Sequence, residues 1–224
     1  MSTPTLSHFF AILSLLTWAG TIVTVVLAVI RHFAPESGPA EFLDDLGGMA
    51  LWLGWLVAAV TMAGSLYYSI GPPQFVPCEL CWYQRICLYP MAVIMLVAAL
   101  RRDRRVWTYV VPILTVGAAI AVYHVQLQAY PKQQSFCPTL TPCTTRYVWE
   151  FGFVSLPFMS LAASCFILTM VLVSRATDPE RVEDDDDLDD EPLDDEPVPT
   201  SPGDAPSPAV DATVDAPPDQ VGAV

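Results

Sequence analysis

The sequence predicts an all-α membrane protein with about five transmembrane helices and a disordered acidic tail. Five apolar runs are each long enough to cross a hydrocarbon core, which takes about 20 helical residues. Each run is apolar all round, unlike the one-sided helices of soluble proteins. Acidic residues and prolines instead accumulate at the carboxyl end of the 224-residue chain.

The five predicted spans follow one another with short connections. The first could be mistaken for a secretion signal, but no basic region leads it and no convincing cleavage site of small residues follows it. We therefore interpret it as a membrane helix. The predicted spans cover residues 8–30, 48–70, 82–100, 107–128 and 153–174.

Nearly all of the negative charge lies in the segment 176–224. From Thr177 onward the chain has 17 acidic residues and a single arginine, Arg181, so the body carries only about +2 while the whole chain carries −14. The tail also holds nine of the 21 prolines and no aromatic residue. It cannot bury enough apolar surface to offset its ordering entropy, so we predict disorder. So negative a surface also makes nucleic acid an unsuitable partner.

Basic residues predict the orientation, because they accumulate in short cytoplasmic loops. The segment RRDRR, residues 101–105, is the strongest such marker. If it is cytoplasmic, Arg31, Arg175 and Arg181 are also inside, which puts seven of the ten lysines and arginines on one side. The amino terminus is then outside and the acidic tail is cytoplasmic.

The six cysteines form two groups. Four lie in or beside the two loops that this orientation places on the outer, oxidising side. The other two fall inside predicted helices, where a single cysteine usually behaves as a small apolar residue, so we expect both to be dispensable. The first group is Cys78, Cys81, Cys137 and Cys143, and the second is Cys87 and Cys165.

The four outer thiols admit two interpretations. A four-thiolate zinc site would use each pair as ligands, but five residues separate Cys137 from Cys143, more than the usual two to about four. The alternative is two exchangeable disulfides, one in each loop. The second would close a ring of about seven residues and constrain the unfolded chain by only about 2 kcal/mol. It could also simply tie down an exposed loop.

Local physics favours reactivity at the first pair. Pro77 precedes Cys78 and Cys81, and a helix is predicted to begin there, so both sulfurs lie in its first turn. Unpaired backbone amides and the positive end of the helix dipole stabilise a thiolate at this position. Arg85 follows Cys81 by four residues and shares its helical face. Arg85 could hold an anion formed during turnover, or reach outward to lipid phosphates.

Three segments together resemble the DsbB superfamily of membrane disulfide oxidoreductases, and the short second loop is closest to its BdbC-type branch. The likeness covers about residues 65–174, with both cysteine pairs in register, and excludes the first helix and the tail. The segments are PCELCWYQR at 77–85, YHVQLQ at 123–128 and FCPTLTPCTTRYVWEFGFVSLPF at 136–158.

The resemblance implies a fold, an activity and a location. Its members are four-helix transmembrane bundles of the bacterial plasma membrane that reoxidise an extracytoplasmic thioredoxin-fold thiol oxidase (DsbA- or BdbD-like). They pass the electrons to membrane quinone, a menaquinone or a ubiquinone, and so support disulfide formation in exported proteins. No metal is implied. Together with the hydropathy and composition of the rest of the chain, the resemblance predicts an additional N-terminal transmembrane helix with a cytoplasmic linker in 1–47, the oxidoreductase bundle in 48–175 and the disordered acidic tail in 176–224.

The resemblance also implies roles for individual residues. Cys78 and Cys81 would form the quinone-facing pair, with Cys81 as the thiolate beside the quinone and Arg85 supporting its ring. Cys137 and Cys143 would form the pair that meets the partner oxidase, and Cys137 would be the site of the mixed disulfide.

Two further residues are candidates for contact with the quinone, and one departs from the family. His124 could hydrogen-bond a quinone carbonyl, although a polar residue at a membrane interface needs no such role. Trp82 could pack against the quinone or belong to an aromatic belt. Gln84 stands where many members have an acidic residue, so any role of that carboxylate is absent.

Two other functions are alternatives. A quinone reductase like vitamin K epoxide reductase would have its loop cysteines before the membrane dithiol, whereas here they follow it. A zinc-clasped structural membrane protein, whose acidic tail recruits a cytoplasmic partner, would need four free thiolates.

Overall fold

The computed structural model describes residues 3–34, 38–71, 73–133, 137 and 142–178. Within them, five helices are long and apolar enough to cross a membrane, which confirms the predicted all-α fold. A 3₁₀ turn, Arg104–Val106, joins the third helix to the fourth. From residue 179 onward the predicted disordered tail lies outside the described residues, so its disorder stays a prediction. The helices are α1 (Thr3–Phe33), α2 (Gly38–Ile70), α3 (Glu79–Arg101), α4 (Trp107–Ala129) and α5 (Leu156–Ala176).

Helix α2 begins ten residues before the predicted span, at Gly38 rather than at residue 48. The first part of α2 is one-sided, and hydropathy alone does not reveal it. Its apolar side chains Ala40 and Leu43 are buried, while Asp44 on its outer face pairs with Arg31 at 3.0 Å. The helix therefore extends beyond the apolar run because one face packs on the bundle.

Local sequence explains the ends of the helices that carry the cysteines. Cys78, after Pro77, is extended with φ −74° and ψ 172°, and α3 starts at the next residue. The helix ends at Arg101, and the next residue, Arg102, has a left-handed backbone (φ 55°) and bonds through its N–H to the carbonyl of Ala98. Pro157 in the first turn of α5 supplies the φ that a helix start requires.

Four helices form the bundle and α1 packs on its outside. Helices α2 to α5 contact one another around the bundle, and α1 packs against α2 and α5. This confirms the predicted four-helix bundle with an additional N-terminal helix. The apolar side chains buried at the centre of the bundle include Met91, Met95, Val110, Leu114 and Ile167.

Two arginines cap the end of α5 that lies away from the cysteines. Arg104 donates from Nη1 to the carbonyl oxygens of Ser174 at 2.9 Å and Thr177 at 2.7 Å. Arg31, at the end of α1, donates to the carbonyl of Ala176 at 3.0 Å. These donors satisfy the last carbonyl groups of the helix and complement its negative dipole end.

Helices α3 and α4 approach closely where Cys87 meets Gly117. A Cβ atom added at Gly117 would lie 2.8 Å from the Cβ of Cys87, closer than side-chain carbons approach. Cys87 is buried, in keeping with its interpretation as a small apolar residue, and Cys165 is half-buried.

Gly117→Ala should destabilise the bundle by about 1–3 kcal/mol, because the new methyl group forces α3 and α4 apart. The measurement is the midpoint of thermal unfolding in detergent. Gly48→Ala is the matched control, since an added Cβ there meets nothing within 4 Å and improves helix propensity by up to about 1 kcal/mol. Equal midpoints for the two variants would contradict the close approach.

Candidate active site

The first cysteine pair lies at the start of α3. Cys78 precedes the helix and is buried, and Cys81 in the first turn is half-buried. Their sulfur atoms lie 2.7 Å apart without a bond between them, so one thiol can share its proton with the other. The pair is therefore a dithiol in which one sulfur stabilises charge on the other.

The second pair is a disulfide between Cys137 and Cys143, with their Cα atoms 5.9 Å apart. Cys143 is buried, and Cys137 is half-buried and thus the more accessible sulfur. Cys78 and Cys143 belong to one buried cluster, against which Cys81 and Cys137 also pack. The structure therefore brings all four predicted cysteines together, with the second pair bonded and the first pair free.

His124 joins the two pairs. The ring is buried, and its Nε2 lies 3.0 Å from the carbonyl oxygen of Cys143 and 3.7 Å from the sulfur of Cys78. A carbonyl oxygen only accepts hydrogen bonds, so Nε2 carries the proton and Nδ1 is the acceptor. The side-chain amide of Gln84 donates to Nδ1 from 2.9 Å and holds that tautomer.

These donors change the acidity of Cys78. The hydrogen bond from Cys81 lowers the pKa of Cys78 to about 5, against the opposing effect of burial, and a hydrogen bond from His124 adds to the shift. The ordinary value of a cysteine pKa is about 8.5. At neutral pH the reduced pair therefore holds its negative charge at Cys78, whereas the resemblance implied a thiolate at Cys81.

Arg85 points across to α2. Its Nη2 donates to the hydroxyl of Ser69 and to the carbonyl of Ser65 at 3.4 Å. Its guanidinium also lies 5.4 Å from the ring of Trp82 and 6.0 Å from that of Tyr89. These contacts hold the cation beside the bundle wall, one helical turn below the first cysteine pair.

Two cavities meet at Cys81. A small one of about 10 Å³, room for about one water molecule, is lined by Cys78, Cys81 and His124. A large one of about 850 Å³ is lined by Cys81 and Arg85, with mostly apolar walls from α1, α2, α3 and α5. Cys81 borders both cavities, whereas Cys78 borders only the small one. Both cysteines of the pair therefore line the small cavity, and only Cys81 also reaches the large one.

The sequence profile described as "Disulfide bond formation protein DsbB" matches residues 48–174, more than half of the chain. The chain belongs to the DsbB family. The match contains the four cysteines of both pairs together with Arg85, and it leaves out α1.

Named relatives agree with the family match. The chain is 41% identical over 125 residues to disulfide bond formation protein C of Bacillus subtilis, covering 55% of this chain and 88% of the relative. It is 33% identical over 132 residues to probable disulfide formation protein C 2 of Bacillus cereus (58% and 93% covered). It is 36% identical over 136 residues to a probable disulfide formation protein of Coxiella burnetii (58% and 91% covered). No solved structure matches the chain.

Two residues that were predicted to contact the quinone, His124 and Trp82, do not line the large cavity. His124 does not line the large cavity and instead bonds to Gln84 and Cys143. Trp82 is 53% exposed, does not line the large cavity and lies beside Arg85. Contact of either ring with a quinone stays a prediction of this DsbB-family sequence.

The geometry around the dithiol also permits ligation of a metal ion. The ligand atoms of Cys78, Cys81 and His124 all lie within 4.8 Å of one another, so the reduced site offers two thiols and an imidazole to a thiophilic ion. The prediction that no metal is bound stays a prediction.

Several polar residues of the site were missed by the sequence analysis. Gln84 was noted only as a departure from the family, although it lies three residues after Cys81 on the same face of α3. Gln128, in the quoted segment YHVQLQ, donates to the carbonyl of Thr145 at 3.0 Å, and Arg146 donates back to the carbonyl of Gln128 at 3.0 Å. These bonds tie the second loop to α4, and buried glutamines in apolar helices were the available signal.

Reduced Cys78 should react with iodoacetamide at a nearly constant rate from about pH 8 to about pH 6 and lose reactivity below about pH 5. The thiolate is the nucleophile, and a pKa lowered to about 5 keeps it ionised above that pH. Alkylation is followed by mass spectrometry of the Cys78 peptide. Cys81→Ala removes the largest cause of the shift and should move the midpoint upward, toward about 8.5. A midpoint already near that value in the unaltered chain would contradict the assignment.

Proposed function

We propose that this DsbB-family protein is a quinone-dependent thiol–disulfide oxidoreductase of the bacterial plasma membrane. It reoxidises an extracytoplasmic thioredoxin-fold thiol oxidase and passes the electrons to membrane quinone, which supports disulfide formation in exported proteins. The observation that carries the proposal is the position of Cys81 between the two cavities. The dithiol lies between the loop disulfide and the large apolar cavity, which we call the chamber.

The chamber fits a quinone. Its volume of about 850 Å³ lies in the range of sites for small organic ligands, and its walls are mostly apolar. Arg85 offers donors to a carbonyl oxygen, and the hydroxyl oxygen of Ser160, also on the wall, is buried without a partner among the described residues. A bound quinone accepts two electrons and two protons, the number released when the Cys78–Cys81 dithiol closes to a disulfide.

Electrons enter at the second loop. A thiolate of the partner oxidase attacks the more accessible sulfur, Cys137, the Cys137–Cys143 bond breaks, and Cys143 leaves as a thiolate. The second thiol of the partner then attacks the mixed disulfide and releases Cys137 as a thiol. The partner departs oxidised, and the loop pair holds its two electrons.

The loop dithiol next reduces the Cys78–Cys81 disulfide. Attack by Cys143 on Cys78 joins the loops and releases Cys81 as a thiolate, and attack by Cys137 on Cys143 then frees Cys78. Packing of Cys78 and Cys143 in one buried cluster supports this pairing. The Nε2–H group of His124, directed at both residues, can stabilise the thiolate at Cys78.

The proposed sidedness rests on the distribution of basic residues. Arg31, Arg175 and the segment 101–105 all lie at the end of the bundle opposite the cysteines. Because basic residues accumulate on the cytoplasmic side, the cysteines would face the oxidising exterior, and the acidic tail would be cytoplasmic.

Cys81→Ala should abolish quinone reduction because it removes the sulfur that borders the chamber. Cys137→Ala should abolish turnover of the reduced partner oxidase while part of the oxidation of dithiothreitol remains. Quinone absorbance and partner thiol content report the two activities. Cys165→Ala, at a half-buried cysteine away from both cavities, is the control and should behave as the unaltered chain. Quinone reduction that survives Cys81→Ala would contradict the proposed function.

Gln84→Leu should slow electron transfer between the two pairs by about tenfold, because an unsatisfied buried acceptor at His124 costs about 1–3 kcal/mol. Single-turnover thiol trapping measures the rate, and the ¹⁵N chemical shifts of the His124 ring report loss of the Nε2–H tautomer. Gln126→Leu, the same change at an exposed residue two positions after His124, is the control. An unchanged tautomer in Gln84→Leu would show that Gln84 does not position the ring.

A further inference from the structure

The additional helix α1 forms one wall of the large cavity. The residues on this wall recur at positions i, i+3, i+4, i+7, i+8 and i+11, so they form one continuous face of the helix. The profile match begins at residue 48, so this wall comes from outside the region shared with the family. The wall residues are Leu6, Phe9, Phe10, Leu13, Ser14 and Thr17.

We propose that α1 closes the chamber and binds the isoprenoid tail of the quinone. The inference rests on the proposed function and adds a specificity element to it. The redox end of the chamber would receive the quinone ring, and the α1 wall would select the tail that follows it.

The packing of the helices explains why the chamber lies where it does. Helix α1 contacts α2 and α5, but within the described residues it makes no comparable contact with α3. The space between α1 and α3 is the cavity, with Arg85, Leu88 and Tyr89 on the α3 side. Without α1 this space would be a groove open to lipid between α2, α3 and α5.

Contacts with the last turns of α2 show which part of the chamber the first turns of α1 line. Ser7 accepts a hydrogen bond from Tyr68 at 3.2 Å, and the Phe10 ring lies against Gly64. Arg85 reaches the same stretch of α2, through Ser69 and Ser65. The first turns of α1 are therefore level with the redox end of the chamber.

The rest of the α1 wall extends away from the redox end. At 1.5 Å per residue the wall from Leu6 to Thr17 is about 16 Å long. Leu13 is two turns beyond Leu6, where the facing residues include the apolar Val57 and Val60. This part of the chamber suits an apolar chain, not a polar ring.

Continuity with the dithiol favours a quinone tail over the acyl chain of a phospholipid. The same cavity runs from Cys81 and Arg85 to the α1 wall without interruption. A quinone has a polar ring and an apolar tail joined in that order. A phospholipid acyl chain carries no polar ring to match the end of the cavity that holds Cys81 and Arg85.

Attachments at both ends keep α1 in place against the bundle. At its first turns His8 Nδ1 lies 2.8 Å from a carboxylate oxygen of Glu150. At its last turn Arg31 pairs with Asp44 and donates to Ala176. Held at both ends, the helix can serve as a fixed wall.

Leu13→Trp tests the inference, with Leu16→Trp as the matched control. Leu13 lines the chamber, whereas Leu16 is 62% exposed and points away from it. The chamber has room for the indole ring, so Leu13→Trp should narrow it without disturbing the fold. Binding to the oxidised full-length protein in detergent is measured by calorimetry, without a thiol donor, for a quinone with a two-isoprene tail and for its tail-less analogue.

Leu13→Trp should weaken binding of the tailed quinone by about tenfold, the effect of a few misfitted carbons in an apolar pocket, and leave the tail-less analogue nearly unchanged. Leu16→Trp should alter neither. Equal loss for both ligands, or equal behaviour of the two variants, would overturn the role of α1 while leaving quinone binding intact. Failure of the unaltered chain to bind either ligand would instead overturn the proposed function.

Photochemical labelling is a second test. It needs no substitution, so it still applies if Leu13→Trp does not fold. A quinone with a diazirine at the end of its tail is bound to the unaltered protein, and the labelled peptide is mapped. Label within residues 3–33 is the expected result. Label confined to other helices, or to co-purified phospholipid, would overturn the inference.

Discussion

Two sulfur atoms held 2.7 Å apart at the start of α3 are the constraint on which the rest of the site depends. A thiolate in apolar surroundings is costly unless donors surround it. The Cys81 thiol and the ring of His124 are those donors, and Gln84 holds the ring in the required tautomer. Because they come from both α3 and α4, the register of these two helices decides whether the charge at Cys78 is stable.

The short second loop is tied closely to this constraint. Gln128 and Arg146 bind the loop to α4, and the Tyr147 hydroxyl donates to the carbonyl of Val76 just before α3. A loop held at these points keeps Cys143 packed beside Cys78. In the proposed cycle, exchange between the pairs starts from cysteines that already pack in one buried cluster.

The dithiol is asymmetric because its two sulfurs have different neighbours. Cys78 faces His124 and the loop, while Cys81 also borders the chamber that α1 helps to line. The proposed transfer of electrons from the loop pair to quinone uses this asymmetry, because Cys78 packs beside the loop pair and Cys81 borders the chamber. Helix α1 adds one wall to that chamber.

Composition and spacing were enough to predict the five spans, the grouping of the cysteines and the position of Arg85, because hydropathy and helical phase are local properties of the chain. The early start of α2 and the surroundings of His124 were not predictable in this way. Gln84 and His124 are 40 positions apart in the sequence. The Ser160 hydroxyl becomes a candidate ligand only because the structure places it, without a partner among the described residues, on a cavity wall. Which helix faces meet, and where α1 leaves space against α3, are decided by packing among residues distant in sequence, so only the tertiary structure could reveal them.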